Sequence, residues 1–144
     1  MALNDNIQNL SATDNVRVVA EFSDLYFFKG DKEAAFKLLA DDCVTVEAEG
    51  LPYGGEWKGA DGFDRMIGHI TDLFESTVNT FHVKYRDAGD VVLADADLNM
   101  RNRRTGKVLP MRVIELWHVV DGKIKRIEVF YQDTKAVSDH AQGK

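Results

Sequence analysis

The sequence predicts a single α+β domain in which three N-terminal helices pack on a strongly curved antiparallel sheet. Two patterns indicate this fold class. Apolar residues recur at helical spacing in the first half of the chain, and they alternate with period two in the second half. Helices followed by a run of strands are typical of domains whose helices cover one face of the sheet. A curved sheet that faces three helices leaves a cone-shaped apolar pocket between them.

The first half carries the three predicted helices. The first can be capped by Thr13 or Asp14 and ends at Gly30. The second is short and is capped by Asp31. The third follows Gly59, and its apolar residues repeat at the spacing of one helix face. That face consists of Phe63, Met66, Ile67, Ile70, Leu73 and Phe74.

Strands dominate the second half, and one short strand precedes the third helix. The early strand is predicted over residues 43–47, and a turn-rich loop over residues 51–55 follows it. The Asp121-Gly122 pair is the strongest hairpin signal in the chain. The four later strands are predicted over residues 80–87, 91–101, 108–120 and 124–131.

The length and the two ends of the chain define the expected domain. The 144 residues fit one domain, whose core we place over about residues 14–134. Residues 1–11 and the tail from Ser138 carry little apolar pattern, so we expect both ends to be frayed. The lone Cys43 excludes an internal disulfide.

Charge and hydropathy exclude several classes of partner. The formal net charge of −6 argues against binding to nucleic acid or to an anionic membrane surface. We interpret the basic run of Arg101, Arg103 and Arg104 as solvated loop charge rather than a phosphate site. The N-terminus has no secretory signal pattern, and no apolar run is long enough to span a membrane. We therefore expect a cytoplasmic protein.

The sequence carries no motif for a metal or an organic cofactor. The histidines do not have metal-ligand spacing with one another or with the cysteine; they are His69, His82, His118 and His140. Neither a glycine-rich nucleotide loop nor a nucleophilic-serine elbow is present. We expect a site that works without a cofactor.

Strand alternation predicts a carboxyl inside the pocket. Trp117 and Val119 should face inward, and Glu115 shares their parity. The inward-facing residues predicted around it are Met100, Val129 and Tyr131. Burial in an apolar site raises the pKa of a carboxyl, so this group would be neutral near pH 7 and could donate a hydrogen bond. The alternative is that Glu115 lies on the outer face and pairs with Arg112 or with a neighbouring strand.

A second carboxyl, Glu47, lies near the end of the early strand and could face the same pocket. Two carboxyls held in different environments can divide the roles of acid and base. The alternative is that Glu47 is rim charge beside Glu49. Tyr53 and Trp57 flank the turn-rich loop, where they could form a lid or cap the edge of the core. The other predicted substrate-binding residues are Tyr26, Met66, Met100, Trp117, Val129 and Tyr131.

Several short motifs, in their order and spacing, resemble the SnoaL-like and ketosteroid-isomerase-like branch of the nuclear transport factor 2-like superfamily. The resemblance covers roughly residues 15–134. The motifs are Lys29-Gly30-Asp31, Leu39-Ala40-Asp41-Asp42, Leu51-Pro52-Tyr53-Gly54-Gly55, Lys58-Gly59, Ile114-Glu115-Leu116-Trp117, Asp121-Gly122-Lys123-Ile124 and Phe130-Tyr131-Gln132-Asp133-Thr134. The resemblance implies a conical α+β barrel, commonly a homodimer through the outer face of its sheet.

The resemblance also implies roles for three positions. The general-base aspartate of ketosteroid isomerases falls on Glu47, and their protonated, hydrogen-bond-donating aspartate falls on Glu115. Their oxyanion tyrosine falls on Ser23, which is a departure from the family pattern. Tyr26 could replace that tyrosine only if the first helix is shifted or rotated.

Three functions follow as expectations. The first is cofactor-free isomerisation, cyclisation or dehydration of a small apolar carbonyl compound such as a polyketide or terpenoid. The second is a non-catalytic dimeric module that binds a small ligand in the same pocket. The third, an epoxide-opening hydrolase, has less support, because Val129 stands near the position of that group's last-strand aspartate.

Overall fold

The computed structural model describes residues 2–75 and 81–144. Over these ranges, four α-helices lie against one seven-stranded sheet. The helices are α1 (Asp14–Ser23), α2 (Lys32–Phe36), α3 (Gly59–Leu73) and α4 (Thr134–Ala141). The strands are β1 (Ile7–Asn9), β2 (Leu39–Glu47), β3 (Gly55–Lys58), β4 (His82–Asp87), β5 (Val92–Arg101), β6 (Val108–Val120) and β7 (Lys123–Tyr131).

The sheet is mostly antiparallel and strongly curled, but it does not close into a barrel. Its strand order is β1-β4-β5-β6-β7-β2-β3, so β1 and β3 are the edge strands. The β1–β4 and β2–β7 pairs are parallel, and the other neighbours are antiparallel. The α+β class is confirmed. The crossover places β2 beside β7, between β7 and the edge strand β3.

Side-chain caps fix the starts of the first two helices, as the sequence predicts. The Thr13 hydroxyl accepts a hydrogen bond from the Val16 backbone N–H at 3.4 Å, and Asp31 caps α2 through the Ala34 N–H at 3.1 Å. After Ser23 the chain continues as a π-helical turn over Asp24–Phe28. A π-helical turn contains more residues than an α-helical turn, so the side chains in this turn do not continue the apolar face of α1.

Aromatic packing joins α1 to the sheet. Phe22 is fully buried, and its ring centroid lies 5.7 Å from that of Trp117 and 5.3 Å from that of Phe63. Such ring pairs add about 0.5–1.5 kcal/mol each beyond the burial of their apolar area. The cluster therefore fixes the position of the Trp117 indole on the inner face of β6.

The β6–β7 hairpin turns through Asp121 and Gly122, which have φ angles of 51° and 76°. Two successive positive φ values are typical of a type I′ turn, which suits Asp-Gly and matches the twist of the strands. The hairpin prediction is therefore confirmed. The turn and a bulge after His118 set the register in which Glu115 lies opposite Val129.

Both end segments of the described chain form secondary structure, against the prediction of frayed ends. Residues Ile7–Asn9 form β1, which pairs with β4. The tail forms α4, in which Val137 is fully buried. The His140 ring stacks on Phe74 at 5.6 Å, and its Nε2 lies 2.7 Å from the Met100 carbonyl oxygen. Because β1 and α4 are short, they are stabilised by contacts with the rest of the domain. The local sequence pattern does not reveal such contacts.

Other boundaries also differ from those predicted. The strand β2 begins at Leu39, four residues before the predicted start at residue 43, and a register shift follows Leu39. The predicted loop over residues 51–55 ends where β3 begins, and β3 itself was not predicted. Of the strand predicted over residues 80–87, Thr80 lies outside the described residues and β4 begins at His82.

The loop before β3 packs too closely for a side chain at Gly54. A Cβ atom there would lie 2.3 Å from the Ala48 carbonyl oxygen and 2.9 Å from the Glu49 Cα. We predict that Gly54→Ala lowers the free energy of unfolding by about 1–3 kcal/mol. Gly68 in α3 is the matched control, because a Cβ there has no atom within 4 Å.

In the control, Gly68→Ala should stabilise the helix by about 0.5–1 kcal/mol. Urea unfolding of both variants measures the two effects, and equal or same-sign changes would contradict the packing argument.

Candidate active site

One cavity of about 160 Å³ lies between the helices and the inner face of the curled sheet. Most of its wall is apolar, contributed by Phe27, Phe63, Met66, Ile67, Ile70, Phe74, Phe81, Leu98, Met100, Val113, Trp117, Ile127 and Val129. The polar lining residues are Ser23, Thr45, Glu47, Thr71, Glu75, Glu115 and Tyr131. Among the described residues, no lysine, arginine or histidine lines it.

The cavity brings together seven of the residues that the sequence singled out. They are Glu47, Met66, Met100, Glu115, Trp117, Val129 and Tyr131. Strand alternation predicts the lining residues on β5, β6 and β7, and the helical spacing of apolar residues in α3 predicts Met66. Tyr26, Tyr53 and Trp57 do not line the cavity.

Tyr26 lies in the π-helical turn and points towards α3. Its hydroxyl donates a hydrogen bond to Asp64 at 2.7 Å, and its ring packs on Phe63. Tyr26 therefore does not line the cavity, and its side chain joins the π-helical turn to α3.

Tyr53 and Trp57 cap the edge of the core and do not form a lid. Tyr53 is only 1 % exposed, and its hydroxyl lies 2.8 Å from that of Tyr131, behind the cavity wall. Trp57 on β3 donates from Nε1 to the Tyr53 carbonyl oxygen at 3.0 Å and packs beside His69 of α3. Both side chains therefore lie at the core edge, which is one of the two positions that the sequence left open.

Glu115 lies on the inner face of β6, paired with Ala94 of β5 and Val129 of β7. It lies deep in the protein but keeps some accessible surface, because it borders the cavity. The Trp117 Nε1–H donates to its Oε1 at 3.1 Å. Burial raises the pKa of Glu115 to about 7, although the hydrogen bond from Trp117 acts in the opposite direction.

The outer-face alternative for Glu115 is wrong. The suggested partner, Arg112, is exposed on the opposite face of the sheet. There it forms ion pairs with Asp95 and, at 3.1 Å, with Asp97. Alternation along β6 separates Arg112 from Glu115.

Glu47 is the more deeply buried carboxyl, at 3 % exposure. Its Oε1 has no hydrogen-bond partner among the described residues. Burial raises the pKa of Glu47 to about 9, and the nearby charge of Glu115 adds to the rise. The strand order places β7 alone between β2 and β6, which explains why the two carboxyls influence each other.

The order of the two pKa values is the reverse of the one that the resemblance implied. Near pH 7 Glu47 is neutral, whereas Glu115, with a pKa of about 7, is divided between its neutral and ionised forms. Two local causes contribute to the difference: Glu115 accepts the indole hydrogen bond whereas Glu47 Oε1 accepts none among the described residues, and the charge of Glu115 raises the pKa of Glu47 further.

Ser23 and Thr45 line the cavity but are not among the predicted catalytic or substrate-binding residues, although the resemblance aligned Ser23 with the oxyanion tyrosine. Ser23 lies 2.6 Å, hydroxyl to hydroxyl, from Tyr85 of β4. Burial and the charge of Glu115 raise the pKa of Tyr85 above its usual value, so Tyr85 stays protonated. Thr45 shares the face of Glu47 on β2, and its Oγ1 has no partner among the described residues. The two-residue spacing from Glu47 was the signal that could have identified Thr45.

Neither a metal centre nor a membrane span is found in the part of the chain that the structure describes. Over residues 2–75 and 81–144, no three His, Cys, Asp or Glu side chains are grouped so that they could hold a metal ion. No helix in these ranges is long and apolar enough to cross a membrane.

Comparison with protein families gives one match. The family model of the SnoaL-like domain matches residues 19–127. This range includes both carboxyls and most of the residues that line the cavity. No curated protein sequence matches the chain.

Solved structures include proteins similar to this chain over most of its length. An NTF2-like protein from Burkholderia thailandensis is 28 % identical, with a TM-score of 0.77, and the alignment covers 92 % of this chain and 98 % of that one. A Mesorhizobium loti protein whose name describes a SnoaL-like polyketide cyclase is 21 % identical, with a TM-score of 0.59 and coverage of 80 % and 97 %.

A third similar structure holds a small ligand. It is a protein from Catenulispora acidiphila with a ketosteroid isomerase-like fold, solved in complex with trimethylamine. It is 17 % identical to this chain, with a TM-score of 0.64, and the alignment covers 85 % of this chain and 92 % of that one. At these low identities, the second and third structures support the fold alone.

Proposed function

Because the chain belongs to the SnoaL-like domain family, we propose that it is an enzyme of cofactor-free acid/base chemistry. Its substrate would be a small apolar carbonyl compound, such as a polyketide or terpenoid, and its reaction an isomerisation, cyclisation or dehydration. One observation carries the proposal: two carboxyls with raised pKa values line a single apolar cavity. Pairs of carboxyls whose environments separate their pKa values are typical of acid/base sites.

In this proposal Glu115 is the base. Its ionised form is available near neutral pH, and the Trp117 N–H holds one carboxylate oxygen in place. Glu115 takes a proton from the carbon next to the substrate carbonyl, and the electrons of that C–H bond form the double bond of an enolate. In an isomerisation the same group then returns the proton to a different carbon.

Glu47 is the acid. Being neutral near pH 7, it donates a hydrogen bond or its proton to the carbonyl oxygen as negative charge develops there. The apolar wall strengthens this interaction, since electrostatic effects are larger at low dielectric. These roles are exchanged relative to those that the resemblance implied for Glu47 and Glu115.

A second candidate function is the binding of a small ligand without catalysis. The observation that favours it is the trimethylamine complex of the Catenulispora acidiphila protein, whose fold this chain shares. The epoxide-opening alternative gains no support, because Val129 lines the cavity where that chemistry needs a carboxyl.

The pH dependence of α-proton exchange tests the enzymatic proposal. Cyclohexanone in D₂O serves as the substrate, and NMR follows the loss of its α-proton signal. We expect a bell-shaped enzymatic rate: it rises as Glu115 ionises near pH 7, and it falls as Glu47 loses its proton near pH 9. A maximum is expected at about pH 8. A rate equal to the buffer control at every pH would contradict the proposal and favour the binding function.

We also propose that the chain forms a homodimer through the outer face of its sheet. Phe130 is 52 % exposed there and lies beside Ile114 of the neighbouring strand. An apolar group of this kind supports an interface. Light scattering coupled to size-exclusion chromatography, with Phe130→Lys as the disrupting variant, tests the assembly.

A further inference from the structure

Two buried polar atoms in the wall of the cavity lack hydrogen-bond partners among the described residues. They are Thr45 Oγ1 and Glu47 Oε1. Thr45 is 1 % exposed and Glu47 is 3 % exposed, and both line the cavity. Because they are two residues apart on β2, their side chains leave the same face of the strand, about 6–7 Å apart at the backbone.

These unpartnered atoms are costly for the folded protein. A buried hydrogen-bonding group without a partner loses its hydration and gains nothing in return. Valine has almost the same shape as threonine and would fill the Thr45 position without this cost. A ligand whose oxygen accepts hydrogen bonds from the Thr45 hydroxyl and the neutral Glu47 carboxyl would satisfy both groups at once.

We propose that Thr45 and Glu47 form a polar anchor for the oxygen of the substrate, and that the substrate is a neutral carbonyl compound about the size of one six-membered ring. The inference rests on the proposed function, because it names the substrate of the same cavity. It adds Thr45 as a substrate-binding residue and limits the size of the substrate.

The size limit follows from the cavity volume of about 160 Å³. A dry apolar cavity of about 150 Å³ holds one benzene ring. A steroid or a fused polyketide of four rings would be far larger than this space. The side chains around the ring would be apolar, among them Ile70, Leu98 and Val113.

The charge of the substrate follows from the lining. Among the described residues, no cationic side chain lines the cavity to balance an anion, and three carboxyls, those of Glu47, Glu75 and Glu115, line it. A carboxylate ligand would therefore meet only like charge. A neutral oxygen acceptor uses the protonated form of Glu47, which is 3 % exposed, whereas an ammonium ion has no lone pair to accept a hydrogen bond from Glu47 or Thr45.

The test compares the binding of three ring compounds of similar size at pH 7 by protein-observed NMR titration. The compounds are cyclohexanone, cyclohexylammonium and cyclohexanecarboxylate. We expect cyclohexanone to bind most tightly. Tighter binding of either charged ring would overturn the substrate class.

The anchor itself is tested with Thr45→Val. We expect the affinity for cyclohexanone to fall about 5–10-fold, the equivalent of one lost hydrogen bond, while the Tm of the free protein rises by about 2–4 °C. Thr45→Ser keeps the hydroxyl and should retain most of the affinity. An unchanged affinity in Thr45→Val would overturn the anchor.

Thr71→Val is the matched comparison. Thr71 also lines the cavity, but its hydroxyl already donates to the Gly68 carbonyl oxygen at 3.1 Å. This variant should show no rise in Tm and a smaller loss of affinity than Thr45→Val. A rise in Tm equal to that of Thr45→Val would show that the missing partner at Thr45 is not the cause.

The outcomes separate the two proposals. If cyclohexanone binds in a manner that depends on Thr45 but exchanges no α-proton, the anchor stands and the enzymatic function fails. If α-proton exchange is catalysed while Thr45→Val binds as well as wild type, the enzymatic function stands and the anchor fails.

Discussion

Glu115→Gln should lower the rate of enzymatic α-proton exchange by about 10²–10⁴-fold, the usual contribution of a positioned base. The substitution keeps the shape of the side chain and an oxygen that can accept the Trp117 hydrogen bond, which spans 3.1 Å in wild type. It removes only the ability to accept a proton. The affinity for cyclohexanone should therefore change little, and the loss should appear in kcat rather than KM.

Glu128→Gln is the matched control for this experiment. Glu128 lies on the next strand but on the outer face, where it bonds to His118 at 2.8 Å. Its substitution should leave the exchange rate within about twofold of wild type, as a site without contact to substrate should. Equal losses in the two variants would point to a general structural effect, and no loss in Glu115→Gln would remove Glu115 from the mechanism.

Glu47→Gln should raise the free energy of unfolding at pH 7 by about 2–3 kcal/mol. In the folded protein the pKa of Glu47 is about 9, whereas the ordinary value is 4.5. Between these two values the unfolded chain releases a proton that the folded protein retains, so stability falls as the pH rises from about 4.5 to about 9. Each pKa unit corresponds to about 1.4 kcal/mol, and the cost of burying an amide offsets part of the gain.

The expected signature is a change in the slope of the free energy of unfolding plotted against pH. Urea unfolding at several values between pH 4 and pH 9 should show a smaller decline of stability with pH in Glu47→Gln than in wild type. The gain should vanish near pH 4, where the carboxyl is neutral in both states. Parallel curves for the two proteins would mean that Glu47 is not held neutral by the fold.

Much of the fold and part of the site follow from local sequence pattern. Strand alternation places Glu115 and Trp117 on one inner face because period two leaves little freedom once the apolar residues are buried. The caps at Thr13 and Asp31 and the Asp121-Gly122 hairpin depend on neighbouring residues alone, and each is as predicted.

What escaped prediction depends on tertiary structure. The crossover that places β2 beside β7 brings Glu47 towards Glu115, and nothing near Glu47 in the sequence specifies it. The π-helical turn redirects Tyr26, although the apolar spacing of the first helix looks regular. The pKa order depends on how deeply each carboxyl is buried, on the indole N–H that bonds to Glu115 and on the charge of Glu115 near Glu47, all of which the strand pairing sets.

The buried polar atoms of β2 have a consequence for protein engineering. Thr45 and Glu47 are among the least favourable residues of the core for a protein that only has to stay folded. A directed-evolution screen for heat resistance alone would therefore enrich Thr45→Val and Glu47→Gln early, and its winners would be more stable but weaker in the proposed binding and catalysis. Thermostable variants of this chain should be sought away from the cavity, with turnover as a second selection.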